Sequence, residues 1–175
     1  MTRKFMTMTL TMAAALLAAP AFAQSDVEVK AMLQEMKDRA AIEKLMWDYA
    51  RALDTRNPDA YVATFTPDGQ FGRGPNATKG REALYKMVSD LKKRADDAAA
   101  AGNPGPAMYH TSMNEHIEFV DKDHAKVFAY WTTTFAGAKR GDPARIAAVG
   151  WEENDLVRMN GKWLIQVRDT APDRK

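Results

Sequence analysis

Asp54 closes a strongly apolar helical stretch, LMWDYARALD at 45–54. Ile42, Leu45, Met46, Tyr49 and Leu53 recur at helical spacing, so that face turns inward. A helix C-terminus carries partial negative charge, and an acid there is mildly disfavoured. Asp54 therefore needs a reason. Either it opens the turn and pairs with nearby Arg56, or it works in a pocket. The chain has only three histidines. His124 sits in a turn, whereas His110 and His116 lie in the extended stretch MYHTSMNEHIEF at 108–119. An imidazole within reach of a substrate can act as a general base. Strict alternation puts Met108, His110, Ser112, Asn114, His116 and Glu118 on one face, opposite Tyr109, Met113, Ile117 and Phe119. His110 then points away from the apolar set unless a bulge between Thr111 and Glu115 re-aims it.

Arg168 lies in the last strand-like stretch, where Trp163, Ile165 and Val167 alternate with Leu164, Gln166 and Arg168. It is either a surface cation or an electrophilic clamp. The run Glu152, Glu153, Asn154, Asp155 is unusually polar for a strand. Some of these face solvent or a subunit partner, and one or two line a wet cavity. Ser112 is near His110 in sequence, but no nucleophile elbow surrounds it. No phosphate loop or dinucleotide fingerprint is present. His110, His116 and a carboxylate match no strong metal spacing, so no metal and no cofactor is expected.

The elements that must position these residues come in a set order. One long helix, or two joined, is expected over 26–54. Asn57 and Pro58 cap and start a short helix reaching 65. Thr66-Pro67-Asp68-Gly69 reads as a turn, followed by a short strand at 70–73. A further helix opens at 79, with Leu84, Met87, Val88 and Leu91 on one face. The stretch 96–107 is expected to be a long loop, a linker or a lid. Strands follow at 108–120, 125–135, 145–159 and 162–169, and Asn160-Gly161 is a two-residue hairpin signal. Helices first and an antiparallel meander afterwards give α+β, with helices on one face of a curved sheet.

The first residues are basic at Arg3 and Lys4, then apolar, then Ala21-Phe22-Ala23. That pattern predicts a secretory signal peptide over 1–23 and a single domain over 24–175, in the periplasm, without a stable membrane anchor. Of the 25 Lys and Arg, two lie in that leader, leaving 23 against 23 Asp and Glu. A neutral remainder argues against nucleic acid as partner. The chain has no cysteine, which excludes disulfides and thiolate chemistry.

The segments RAAIEKLMWDYARALDTRNPDAYVATFTPDG, KGREAL, MYHTSMNEHIEF and GWEENDLVRMNGKWLIQVRD resemble, in order, the SnoaL-like branch of the NTF2-like superfamily. The resemblance implies a cone of bent antiparallel sheet whose helices close an apolar pocket. The catalytic pattern is similar to that of scytalone dehydratase and hexachlorocyclohexane dehydrochlorinase. It implies that Asp54 orients His110, that His110 is the general base, and that Arg168 serves the leaving group. Tyr49 stands where the dehydrochlorinase has a lysine, which fits a leaving oxygen better than a halide.

The activity implied is a cofactor-independent lyase of dehydratase type acting on an apolar or aromatic small molecule. Formaldehyde removal from lignin-derived aromatic diols is a close variant. Isomerase and epoxide-hydrolase relatives use acid arrangements not matched by this chain. Trp47, Tyr61, Phe65, Phe128, Tyr130, Trp131, Phe135 and Trp151 are candidate pocket walls. A homodimer or homotrimer is a habit of the family. The competing class is a non-catalytic ligand-binding or dimerisation module. Geometry separates the two: Asp54 and His110 must meet and face a cavity.

Overall fold

The computed structural model describes residues 19–137, 139 and 141–173. The leader expected over 1–23 lies mostly outside them. The described residues divide into two units, one up to Lys37 and one from Asp38 on. A helix, α1 (Ala19–Asp54), runs through both. In the first unit its apolar side chains Val29, Met32, Leu33 and Met36 are exposed. Among the described residues no helix is long and apolar enough to cross a membrane.

In the second unit α1 buries Ile42, Leu45, Met46, Tyr49, Ala52 and Leu53, the face read from spacing. The helix ends in a Schellman motif: Asn57 N–H donates to the Ala52 carbonyl at 2.8 Å and Arg56 N–H to Leu53 at 2.9 Å. Arg56 takes the left-handed conformation at φ 52°. Asn57 then caps α2 (Pro58–Val62), its side chain accepting from Ala60 N–H at 3.0 Å.

The strand β1 (Phe65–Phe71) absorbs the expected turn at 66–69, which bulges out where register jumps between Phe65 and Gln70. A two-residue strand, β2 (Thr78–Lys79), pairs with it and leads into α3 (Arg81–Ala100). The helix thus runs into the stretch expected as a loop from 96, because the alanines at 98–100 favour helix. Of the stretch 96–107, only 101–107 lacks regular structure.

Four long strands follow: β3 (Met108–Phe119), β4 (His124–Phe135), β5 (Arg145–Met159) and β6 (Lys162–Asp169). The sheet order is β2-β1-β6-β5-β4-β3. The meander is antiparallel as expected, whereas β1 joins parallel to β6. Asn160 and Gly161 both have positive φ, the hairpin geometry their pairing predicted.

The core joins α1, α2, α3 and one face of the sheet: Ile42, Tyr61, Phe65, Leu84, Val88, Val127, Leu156 and Ile165 are within 1 % of full burial. Full burial of such side chains contributes about 1.5–3 kcal/mol each. Asp38 adds a polar anchor. It accepts from Arg158 Nη2 at 2.6 Å and from Trp163 Nε1 at 3.1 Å.

β3 is an edge strand, and unpaired edge groups invite association. Residues of α1 occupy two of them. Asp54 accepts the His110 N–H at 2.9 Å, and Arg39 Nη1 donates to the Ile117 carbonyl at 3.3 Å.

Candidate active site

The bulge that His110 needs is present. Met113 pairs with Tyr130 and His116 with Phe128, so Asn114 and Glu115 together oppose the single residue Ala129. Asn114 adopts φ 55°, a conformation asparagine tolerates better than most residues. The extra residue reverses the alternation. Met108, His110 and Ser112 now share the inward face with Ile117 and Phe119, while Tyr109 and Met113 point out.

Asp54, with its side chain 6 % exposed, meets His110 there. Its Oδ1 accepts the His110 backbone N–H at 2.9 Å and stands 2.9 Å from ring Nδ1. An ionised carboxylate only accepts, so Nδ1 carries the proton and Nε2 keeps a lone pair. The cation beside Asp54 is Arg51, 3.4 Å from Oδ2, rather than the expected Arg56. The acid is thus held between Arg51 and the edge strand, which answers the opposing helix dipole.

His110, Tyr49, Leu53, Phe71, Trp131 and Arg168 line one cavity of about 210 Å³, together with Ser112, Thr133 and Thr170. This is below the range of about 300–1,000 Å³ common for drug-sized ligands, so a small molecule suits it.

Arg168 is not a surface cation. It is 5 % exposed and bound end-on by Glu152, through Nη1–Oε1 at 3.1 Å and Nη2–Oε2 at 2.6 Å. Nη1 also donates to Asn154 Oδ1 at 3.2 Å. Glu152 and Asn154 are fully buried. Burial works against the Arg168 charge, and neighbouring Tyr49 and Glu152 outweigh it, so the guanidinium stays charged. The guanidinium carbon sits 4.0 Å from the Tyr49 ring centroid. Burial raises the Tyr49 phenol above its ordinary value, with Arg168 partly opposing, so Tyr49 stays protonated at neutral pH.

The polar run in β5 thus splits by alternation. Glu152 and Asn154 point inward, whereas Glu153 and Asp155 face Lys126 and Arg73 on the other side. Period-two spacing carried that signal, but which pair faced inward needed the register.

Of the predicted walls, Trp131 lines the cavity beside His110. Tyr61 and Phe65 do not. They are sealed in the core, ring centroids 5.1 Å apart. Trp47 is 66 % exposed on α1. Phe128, Tyr130 and Trp151 lie across the sheet, around a shallow hollow of about 260 Å³ on the outward face. Phe135 packs under the Arg145 guanidinium, 5.1 Å away. Alternation separates adjacent aromatics such as Tyr130 and Trp131 onto opposite faces. Leu53, Phe71, Thr133, Ala148 and Thr170 enter the wall without any motif to mark them. His116 bonds Glu118 and His124 bonds Asp121, both at the surface.

Residues 34–169 match the model of the SnoaL-like domain. The chain belongs to the SnoaL-like family. Solved structures share the fold. A putative scytalone dehydratase from Novosphingobium aromaticivorans is 24 % identical, with 79 % of this chain and 85 % of that chain covered and a TM-score of 0.62. An NTF2-like protein with a cystatin-like fold from the same organism is 19 % identical over 82 % and 86 %, with a TM-score of 0.66. LinA is 19 % identical over 78 % and 86 %, with a TM-score of 0.61. At these identities the likeness is one of fold. No functionally curated protein matches the chain. In this chain the cavity lies between α1 and the inward face of the sheet, as its lining residues show.

Proposed function

We propose that this SnoaL-like protein is a cofactor-independent lyase of dehydratase type. The observation that carries the reading is the Asp54–His110 pair opening onto an apolar cavity. In the forward direction His110 Nε2 takes a proton from a substrate carbon. The electron pair left on that carbon forms the new C=C bond as the neighbouring C–O bond breaks. Asp54 stabilises the imidazolium, and positioned proton transfer of this kind is worth about 10²–10⁴ in rate. The leaving oxygen takes a proton from Tyr49 or back from His110, and departs as water. Arg168 holds Tyr49 from beneath its ring. One structural neighbour is described as a putative scytalone dehydratase, which agrees with this chemistry.

The substrate is a neutral, oxygenated small molecule with about one ring, since the guanidinium charge is already matched by Glu152. Loss of formaldehyde from an aromatic diol is a variant in which His110 takes the proton of the terminal O–H. The C=O of formaldehyde forms as its C–C bond breaks, and that electron pair makes the C=C bond as the neighbouring C–O bond breaks and the oxygen leaves as water. The basic, apolar, Ala-x-Ala pattern over 1–23 supports export to the periplasm. The outward sheet face exposes Tyr109, Met113, Tyr130, Ile146 and Val149, and this surface supports a homodimer or homotrimer.

The test is to incubate the protein from residue 24 with neutral aryl alcohols and diols, following styrene-type absorbance and released formaldehyde. Turnover that vanishes in His110→Ala supports the lyase. Binding of the same compounds to wild type without turnover would favour the carrier reading instead.

A further inference from the structure

We propose that Gly150 determines which ring sizes the cavity accepts, by letting the Trp131 indole lie flat on the β5 backbone. The inference rests on the cavity being the substrate site. Trp131 and Gly150 are cross-strand partners in β4 and β5. A Cβ on Gly150 would stand 3.0 Å from Cε2, Cζ2 and Nε1 of that indole. Carbon atoms in ordinary contact sit about 3.5–4.0 Å apart. Gly150 lies outside the left-handed region, so its backbone would accept a side chain, and it is the indole that would have to give way. A glycine inside a strand weakens it and often marks a close approach. Here the close approach is an aromatic wall.

The indole has little freedom to retreat. Its Nε1–H donates to the Thr170 carbonyl at 3.0 Å and stands 3.3 Å from the Trp151 carbonyl. A side chain at 150 would lift the ring off β5 and strain those bonds. The displaced ring would move into the space between Trp131 and His110, which is only about 210 Å³ to begin with. Trp131, Ala148 and Thr170 also line a neighbouring hollow of about 650 Å³, so the indole is part of the partition between two spaces. Setting the partition therefore sets the depth of the inner one. One methylene more or less in an apolar pocket changes discrimination by about 10–200-fold.

The experiment compares wild type, Gly150→Ala, Gly150→Val, and Gly150→Val combined with Trp131→Phe. Two readouts are taken by NMR. The Trp131 Nε1–H resonance is read without ligand. Dissociation constants of phenol and 2-naphthol are read from the His110 ring signals. Gly150→Val is expected to shift the Trp131 resonance. It should weaken 2-naphthol about tenfold more than phenol. Gly150→Ala should do the same to a smaller degree, and the smaller ring in the double variant should restore the wild-type ratio. An unmoved Trp131 resonance, or an unchanged ratio between the two probes, would overturn the role of Gly150. If neither probe perturbs His110 in wild type, the cavity itself is not a ring site, and the proposal falls with that reading.

Discussion

One carboxylate oxygen of Asp54 meets two nitrogens of His110, the backbone N–H and ring Nδ1, each at 2.9 Å. The same contact therefore closes the end of α1 onto the edge strand β3 and fixes the imidazole tautomer. Structure and proposed chemistry share one atom.

Asp54→Asn should lower turnover by about 10²–10⁴, since an amide cannot stabilise the imidazolium. The cost in stability should stay near 1–3 kcal/mol, the range for a hydrogen bond to a charged group. Nitrogen-15 spectra of His110 give the direct check. Wild type should carry its proton on Nδ1, and a wild type protonated on Nε2 would remove the base from the mechanism.

Deleting Asn114 should remove the bulge and return His110 to the outward face. Activity should vanish while the strand still pairs with β4. Asn114→Val tests the conformation instead. Its φ of 55° should cost a β-branched residue about 1–2 kcal/mol. Urea unfolding measures both, and an active deletion variant would refute the bulge as the device that aims His110.

Glu152→Ala leaves the Arg168 charge buried without its carboxylate. Breaking such a pair typically costs about 3–5 kcal/mol. Chemical denaturation should show that loss. A change below about 1 kcal/mol would mean that water or another group replaces Glu152.

Glu115 predicts a pH dependence. Its pKa is raised from the ordinary 4.5 by burial and by the nearby charges of Glu152 and Glu43, with Arg168 opposing. The folded state then holds its proton to higher pH than the unfolded chain does. Stability from this group is present below the unfolded pKa and declines as pH rises through the folded one. Glu115→Gln should flatten that decline in thermal melts run from pH 4 to pH 7. The effect is modest because Glu115 keeps contact with water. An identical pH profile in the variant would contradict the shift.

Local rules carried much of the fold. The stripe from Ile42 to Leu53, the Asn57 cap and the Asn160-Gly161 hairpin each depend on neighbours within a few residues. The bounds of β5 and β6 followed from alternation and turn chemistry in the same way. Helix propensity at 98–100 is also local, yet the glycine and proline just beyond it dominated the reading of that stretch.

The sequence by itself determined the α+β order of elements, the ionisable residues available, and the ordered resemblance that singled out Asp54, His110, Tyr49 and Arg168. Tertiary structure alone decided which way those residues face. One inserted residue at Asn114–Glu115 flips every side chain before it, and no short-range pattern fixes where an insertion falls. Pairing across strands likewise decided that Glu152 and Asn154 hold Arg168, and that Trp131 rests on Gly150 while Tyr130 and Trp151 face out. Side-chain direction in a sheet depends on register, and register is set by contacts between residues far apart in the chain.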